Sequence, residues 1–91
     1  MSFESAALHV TSLMEAGMRV SETNMLELYK YYKQSKDGDI PADKSRPAFY
    51  DMKGQRKHNA WASVRGTSKE VARAKYVETV DRISTEAVSS T

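Results

Sequence analysis

The chain has 91 residues, a net charge of +2 and no cysteine. That length holds one domain, and the absence of cysteine excludes disulfide staples, thiolate metal sites and cysteine nucleophiles. No apolar run approaches the roughly 20 residues that span a bilayer, and "MSFESAALHV" has no basic segment ahead of an apolar one, so a cytoplasmic protein without stable membrane insertion is expected.

Taken in chain order, the pattern predicts four helices at residues 3–16, 22–37, 52–65 and 68–87 of a single domain covering 1–91. In the first, Phe3, Ala6, Ala7, Val10, Leu13 and Met14 recur at i, i+3, i+4 and i+7, the spacing of one buried stripe. Ser2 is its expected N-cap and Gly17 its stop. The second begins after Ser21, runs through Met25, Leu28, Tyr29 and Tyr32, and ends at Gly38 within "KDGDIP". Residues 38–50 show no period and contain Pro41 and Pro47. A loop of that length in a small domain is expected to be functional or disordered.

The third helix is expected to start near Asp51–Gly54 and to be closed by Gly66, with Lys57, Ala60, Trp61 and Val64 on one stripe. The fourth opens on "RGTSKE", where Thr67 and Glu70 have the spacing of a capping box. Ala72, Tyr76, Val80, Ile83 and Ala87 form its stripe. No stretch alternates as a strand would, so the fold class is all-α.

The second helix carries the chemistry. At roughly 100° per residue, one face runs from apolar (Met25, Leu28) through aromatic (Tyr29, Tyr32) to cationic (Lys33, Lys36), while Glu27 and Tyr31 fall on the far, solvent-facing side. A second basic–aromatic cluster, Lys53, Arg56, Lys57 and Trp61, follows the long loop. Residues 30–57 hold eight basic and four acidic side chains, whereas residues 1–29 hold one basic and four acidic. Lysine ammoniums contact phosphate oxygens, and tyrosine offers a hydroxyl donor and a ring face. A ligand with phosphates and an apolar tail would use both halves of such a surface. The plainer alternative is a tyrosine-rimmed core with lysines extended to solvent. Catalysis has little support: His9 and His58 have no carboxylate at metal-motif spacing, His9 reads as a boundary residue, and no serine occupies a nucleophile context. No enzyme, no metal and no cofactor are expected.

The segments "MLELYKYYKQSKDGDI", "RPAFYDMKGQRKHNAW" and "GTSKEVARAKYV" follow one another as in the acyl-CoA-binding protein family, also called diazepam-binding inhibitor, and the resemblance spans about residues 3–83. It implies an up-down-down-up four-helix bundle that binds long-chain fatty acyl-CoA as a monomer and passes it to acyl-CoA-using enzymes. It places Tyr29, Lys33, Lys57 and Tyr76 at the CoA head group, with Lys33 at the ribose 3′-phosphate. Met25 and Leu28 belong to the acyl groove by the same resemblance, with Ala6 and Ala7 as its near wall. Tyr32 is then a structural anchor.

Three departures stand out. His58 occupies a place where the family often has tryptophan, and Thr11 a place where it often has lysine. The connections around Met18 and Lys44 are longer than the usual spacing. The competing reading is a helical protein- or nucleic-acid-interaction module using the basic segment 30–57; the near-neutral total charge weighs against nucleic acid.

Overall fold

The computed structural model describes residues 1–89, with side-chain surroundings through Glu86. Four helices form, α1 (Phe3–Glu15), α2 (Glu22–Asp37), α3 (Met52–Ser63) and α4 (Lys69–Ser89), and there is no strand among the described residues. Local chemistry accounts for their ends. Ser2 Oγ accepts the Ser5 N–H at 3.1 Å, and Ser5 Oγ accepts the Ser2 N–H in return. At the other end of α1, Gly17 has φ +96°, and Met18 N–H reaches back to Leu13 C=O while Gly17 N–H reaches Met14 C=O. This is the Schellman closure, which needs a residue free of Cβ strain at that position. Ser21 caps α2 through Asn24 N–H, and Asp51 caps α3 through Gly54 N–H.

The cap of α4 differs from expectation. Ser68, not Thr67, accepts the N–H three residues on, from Val71 at 3.1 Å, and its carbonyl accepts Ala72 N–H. Thr67 is held outside the helix because its carbonyl accepts the amide of Gln34 at 2.7 Å. Glu70 therefore stands one place short of a capping box. Gly66 does take a positive φ (+92°), but α3 ends at Ser63, and the Gly66 N–H is used by Asp39 Oδ1 at 2.8 Å.

Cross-helix contacts set the directions. Phe3 meets Tyr76 while His9 Nε2 meets Ser84 Oγ, so α1 and α4 run parallel. Glu22 pairs with Arg56, and Lys33 lies over Trp61, so α2 and α3 run parallel. Tyr32 meets Tyr76 while Glu27 pairs with Arg82, so α2 opposes α4. The bundle is therefore up-down-down-up.

Two apolar clusters fill it. The larger contains Phe3, Ala6, Val10, Leu28, Tyr76, Val80 and Ile83; the smaller contains Ile40, Trp61 and Val64. Tyr31 packs against both, contrary to its expected place in solvent, and Glu27 is half-buried. The reason is the position of α2, which packs against α3 on one flank and α4 on another. Tyr32 keeps an anchoring role although it is partly exposed, its ring centroid 5.9 Å from Phe3 and 6.0 Å from Tyr76. The α4 stripe is buried at Ala72, Tyr76, Val80 and Ile83, whereas the side chain of Ala87 lies outside the described residues.

The long loop is tied down at its start. Ile40 is 1% exposed, Gly38 C=O accepts Trp61 Nε1–H at 2.9 Å, and Asp39 accepts from both Gly66 and Gln34. Gln34 is wholly buried and joins the end of α2 to the turn before α4 through its two donor bonds.

Candidate ligand-binding site

Because α2 and α3 run parallel, residues four apart on each helix can meet as pairs one turn apart. Tyr29 and Lys33 on α2 do so with Lys57 and Trp61 on α3. Lys57 Nζ lies 5.4 Å from the Tyr29 ring centroid, and Lys33 Nζ lies 4.7 Å from the Trp61 centroid. Each helix supplies one cation and one ring, in opposite order. Such contacts are worth about 0.5–1 kcal/mol at exposed sites, enough to orient the ammoniums without preventing their transfer to a stronger anion.

Trp61 is the fixed part of this arrangement. It is 4% exposed, its indole N–H is spent on Gly38 C=O, and its ring packs with Ile40 and Val64. Lys33 is held from its own helix. Its Nζ is 2.6 Å from Asp37 Oδ2, an i, i+4 pair at the end of α2. The hydrogen bond to Asp37 raises the lysine pKa, with burial opposing, and the same bond lowers that of Asp37. Lys44, from the loop, places its Nζ 5.9 Å from the Trp61 ring centroid. Lys33, Asp37, Asp39, Asp43, Lys44 and Trp61, with Pro41, surround a polar hollow of about 500 Å³.

Further toward the start of α2 the surface becomes apolar. A cleft of about 460 Å³ is bounded by Glu22, Met25, Leu26 and Tyr29 from α2 and Lys53, Arg56 and Lys57 from α3. A neighbouring hollow of about 240 Å³ lies among Val10, Met14, Met25, Leu28, Tyr29, Tyr32 and Tyr76. Met25 and Tyr29 wall both. Tyr29 thus has a lysine over one face and apolar space beside it, which is the junction a molecule with a charged head and an apolar tail requires. Burial raises the Tyr76 pKa, with Tyr32 adding to it, so its phenol stays protonated and able to donate.

The structure brings Met25, Leu28, Tyr29 and Tyr76 around one hollow and aligns Tyr29, Lys33 and Lys57 along the α2–α3 seam. It does not bring Ala6 and Ala7 there. Ala6 is fully buried against the core, and Ala7 is half-buried at its edge; Val10 and Met14, one and two turns on, line the hollow instead. Asp37, not among the expected site residues, is the partner of Lys33, and the i, i+4 spacing carries that signal. Lys44 could not have been found, since only folding of the loop brings it to Trp61. His58 is half-buried with its Nδ1 lacking a hydrogen-bond partner. No group of three or more His, Cys, Asp or Glu among the described residues could hold a metal ion.

Fold and candidate site together define a small all-α domain with a surface that passes from cationic and aromatic to apolar. A family model described as "Acyl CoA binding protein" matches residues 1–80. The acyl-CoA-binding protein of Dictyostelium discoideum is 38% identical over 84 residues, covering 92% of this chain and 94% of that protein. The acyl-CoA-binding domain-containing protein 5 of Mus musculus is also 38% identical, over 89% of this chain but only 16% of its own length. Among solved structures, acyl-CoA-binding protein 2 of Oryza sativa superposes with a TM-score of 0.84 at 35% identity, covering 98% of this chain and 93% of that one. The acyl-CoA-binding protein of Moniliophthora perniciosa gives 0.83 at 43% identity, with 93% and 79% covered. The chain belongs to the acyl-CoA-binding protein family and has its all-α fold.

Proposed function

We propose that this protein is a non-catalytic, monomeric, cytoplasmic carrier that binds long-chain fatty acyl-CoA, buffers it and delivers it to acyl-CoA-using enzymes. The observation that carries this reading is the pair of interlocked cation–ring contacts, Tyr29 with Lys57 and Lys33 with Trp61, directly beside the apolar hollow of Met25, Leu28 and Tyr76. In this reading the nucleotide lies along the α2–α3 seam. Lys33 exchanges Asp37 for the 3′-phosphate, Lys57 meets the remaining phosphates, and Tyr29 presents its ring to the base. The acyl chain enters past Met25. Each methylene taken from water contributes roughly 0.8 kcal/mol, so a chain of a dozen or more carbons offsets the ordering costs of binding. The head group supplies discrimination against free fatty acids, which lack phosphates.

Calorimetric titration with palmitoyl-CoA, free CoA, palmitate and an oligonucleotide tests the reading. Palmitoyl-CoA should bind far more tightly than CoA or palmitate, and the oligonucleotide should give no saturable heat. Absence of heat with palmitoyl-CoA, or an oligonucleotide that binds as well, overturns it.

A further inference from the structure

The largest apolar exposure among the described residues lies outside the binding seam, at the turn leading into α3. Phe49 is 85% exposed, Tyr50 77% and Met52 57%. These three residues line none of the hollows of the ligand site. They form an exposed tip held by local hydrogen bonds: Asp51 N–H bonds to Ala48 C=O at 2.9 Å, and the Gln55 side-chain amide donates to the same carbonyl at 2.9 Å. The two aromatic rings brace each other edge to face at 5.5 Å. The preceding loop is fastened to α3 by Arg46 Nη2 donating to Asn59 Oδ1 at 3.0 Å.

Charge surrounds this tip on both sequence flanks. Lys44 and Arg46 precede it, and Lys53, Arg56 and Lys57 follow. The opposing carboxylates are Asp43, Asp51 and Glu22; Glu22 pairs with Arg56, and Asp51 already accepts the Gly54 N–H at the start of α3. An exposed aromatic pair between basic side chains matches the depth profile of a bilayer surface, where rings sit at the headgroup–acyl boundary and lysine or arginine meets anionic headgroups. A protein groove would meet such a tip with a complementary cavity, but it would not require cations on both flanks.

We propose that Phe49, Tyr50 and Met52 dock this protein reversibly on anionic membrane surfaces, with the flanking basic residues holding the headgroups. Lys53 follows the tip immediately and also bounds the apolar cleft beside Met25 and Tyr29. Docking therefore brings the mouth of that cleft to the bilayer, a suitable place to load an amphiphile; this last point rests on the acyl-CoA reading, whereas the docking itself does not.

Flotation with phosphatidylcholine vesicles, with and without phosphatidylserine, tests the proposal on the full chain and on the Phe49→Ala/Tyr50→Ala double variant. Wild type should float only with the phosphatidylserine vesicles and lose that binding as salt rises. Attraction of this kind amounts to roughly fivefold in affinity per basic residue near the surface. The double variant, shown folded by circular dichroism, should bind about tenfold more weakly or worse, while its affinity for palmitoyl-CoA in vesicle-free solution stays as in wild type. Wild type that ignores both vesicles, binds both equally, or is matched by the variant overturns the proposal; indifference to both points to a protein partner. Vesicle binding together with no palmitoyl-CoA heat would refute the acyl-CoA reading and leave the docking surface standing.

Discussion

Replacing Lys33 by alanine separates the charged part of the proposed ligand from the rest. Its side chain is 29% exposed, leaning on Trp61 and paired with Asp37. A charge-assisted bond to a phosphate is worth about 1.5–3 kcal/mol. Part of that is offset, because the free protein already satisfies the ammonium with Asp37. A net loss of about 1–2 kcal/mol corresponds to roughly 5- to 30-fold in Kd for palmitoyl-CoA. Palmitoyl-dephospho-CoA lacks the 3′-phosphate, so its Kd should move by less than about threefold, the effect left to weaker and longer-range contacts. Calorimetry on both ligands, at moderate ionic strength, reads the two losses directly. The fold should be unaffected, since Trp61 is held by Gly38, Ile40 and Val64 rather than by the lysine. Equal losses on the two ligands would refute the assignment of Lys33 to the 3′-phosphate.

Two predictions concern the frame behind the site. Gln34→Ala removes a wholly buried side chain and leaves Thr67 C=O without its donor; urea unfolding should show a loss of about 2–4 kcal/mol, and a change below about half a kcal/mol would contradict the role given to this link. Asp39 has its pKa lowered, chiefly by the Gly66 N–H and then by the Gln34 amide, against burial. A depressed folded-state pKa contributes stability above the ordinary value of 3.8 and loses it as pH falls through the depressed one. Asp39→Asn should therefore flatten the fall of stability with acid below about pH 4, and an unchanged slope in urea unfolding across that range would count against it.

The α4 stripe was readable because that helix rests one face on its neighbours, and Ala72, Tyr76, Val80 and Ile83 are buried as their spacing requires. Tyr31 defied the wheel because α3 and α4 lie on different flanks of α2 and its ring packs against both apolar clusters. Neither Ile40 nor Lys44 has a periodic signal, since each owes its place to the loop folding back on Trp61. Gln34 looked like one more polar residue in a basic run, yet its burial depends on the Thr67 carbonyl, 33 residues away. The seam of Tyr29, Lys33, Lys57 and Trp61 lay within sequence reach because both helices repeat at four residues. Its alternation of cation and ring across the seam depends on α2 and α3 being parallel, which spacing alone does not state.

In the proposed reading one ligand spans the cationic seam and the apolar hollow. Amide and methyl NMR shifts recorded with free CoA and then with palmitoyl-CoA test it directly. Tyr29, Lys33 and Lys57 should respond to both ligands, while Met25, Leu28 and Val10 should respond only when the acyl chain is present. Identical shift patterns for the two ligands, or shifts from palmitoyl-CoA that bypass Met25 and Leu28, would contradict it.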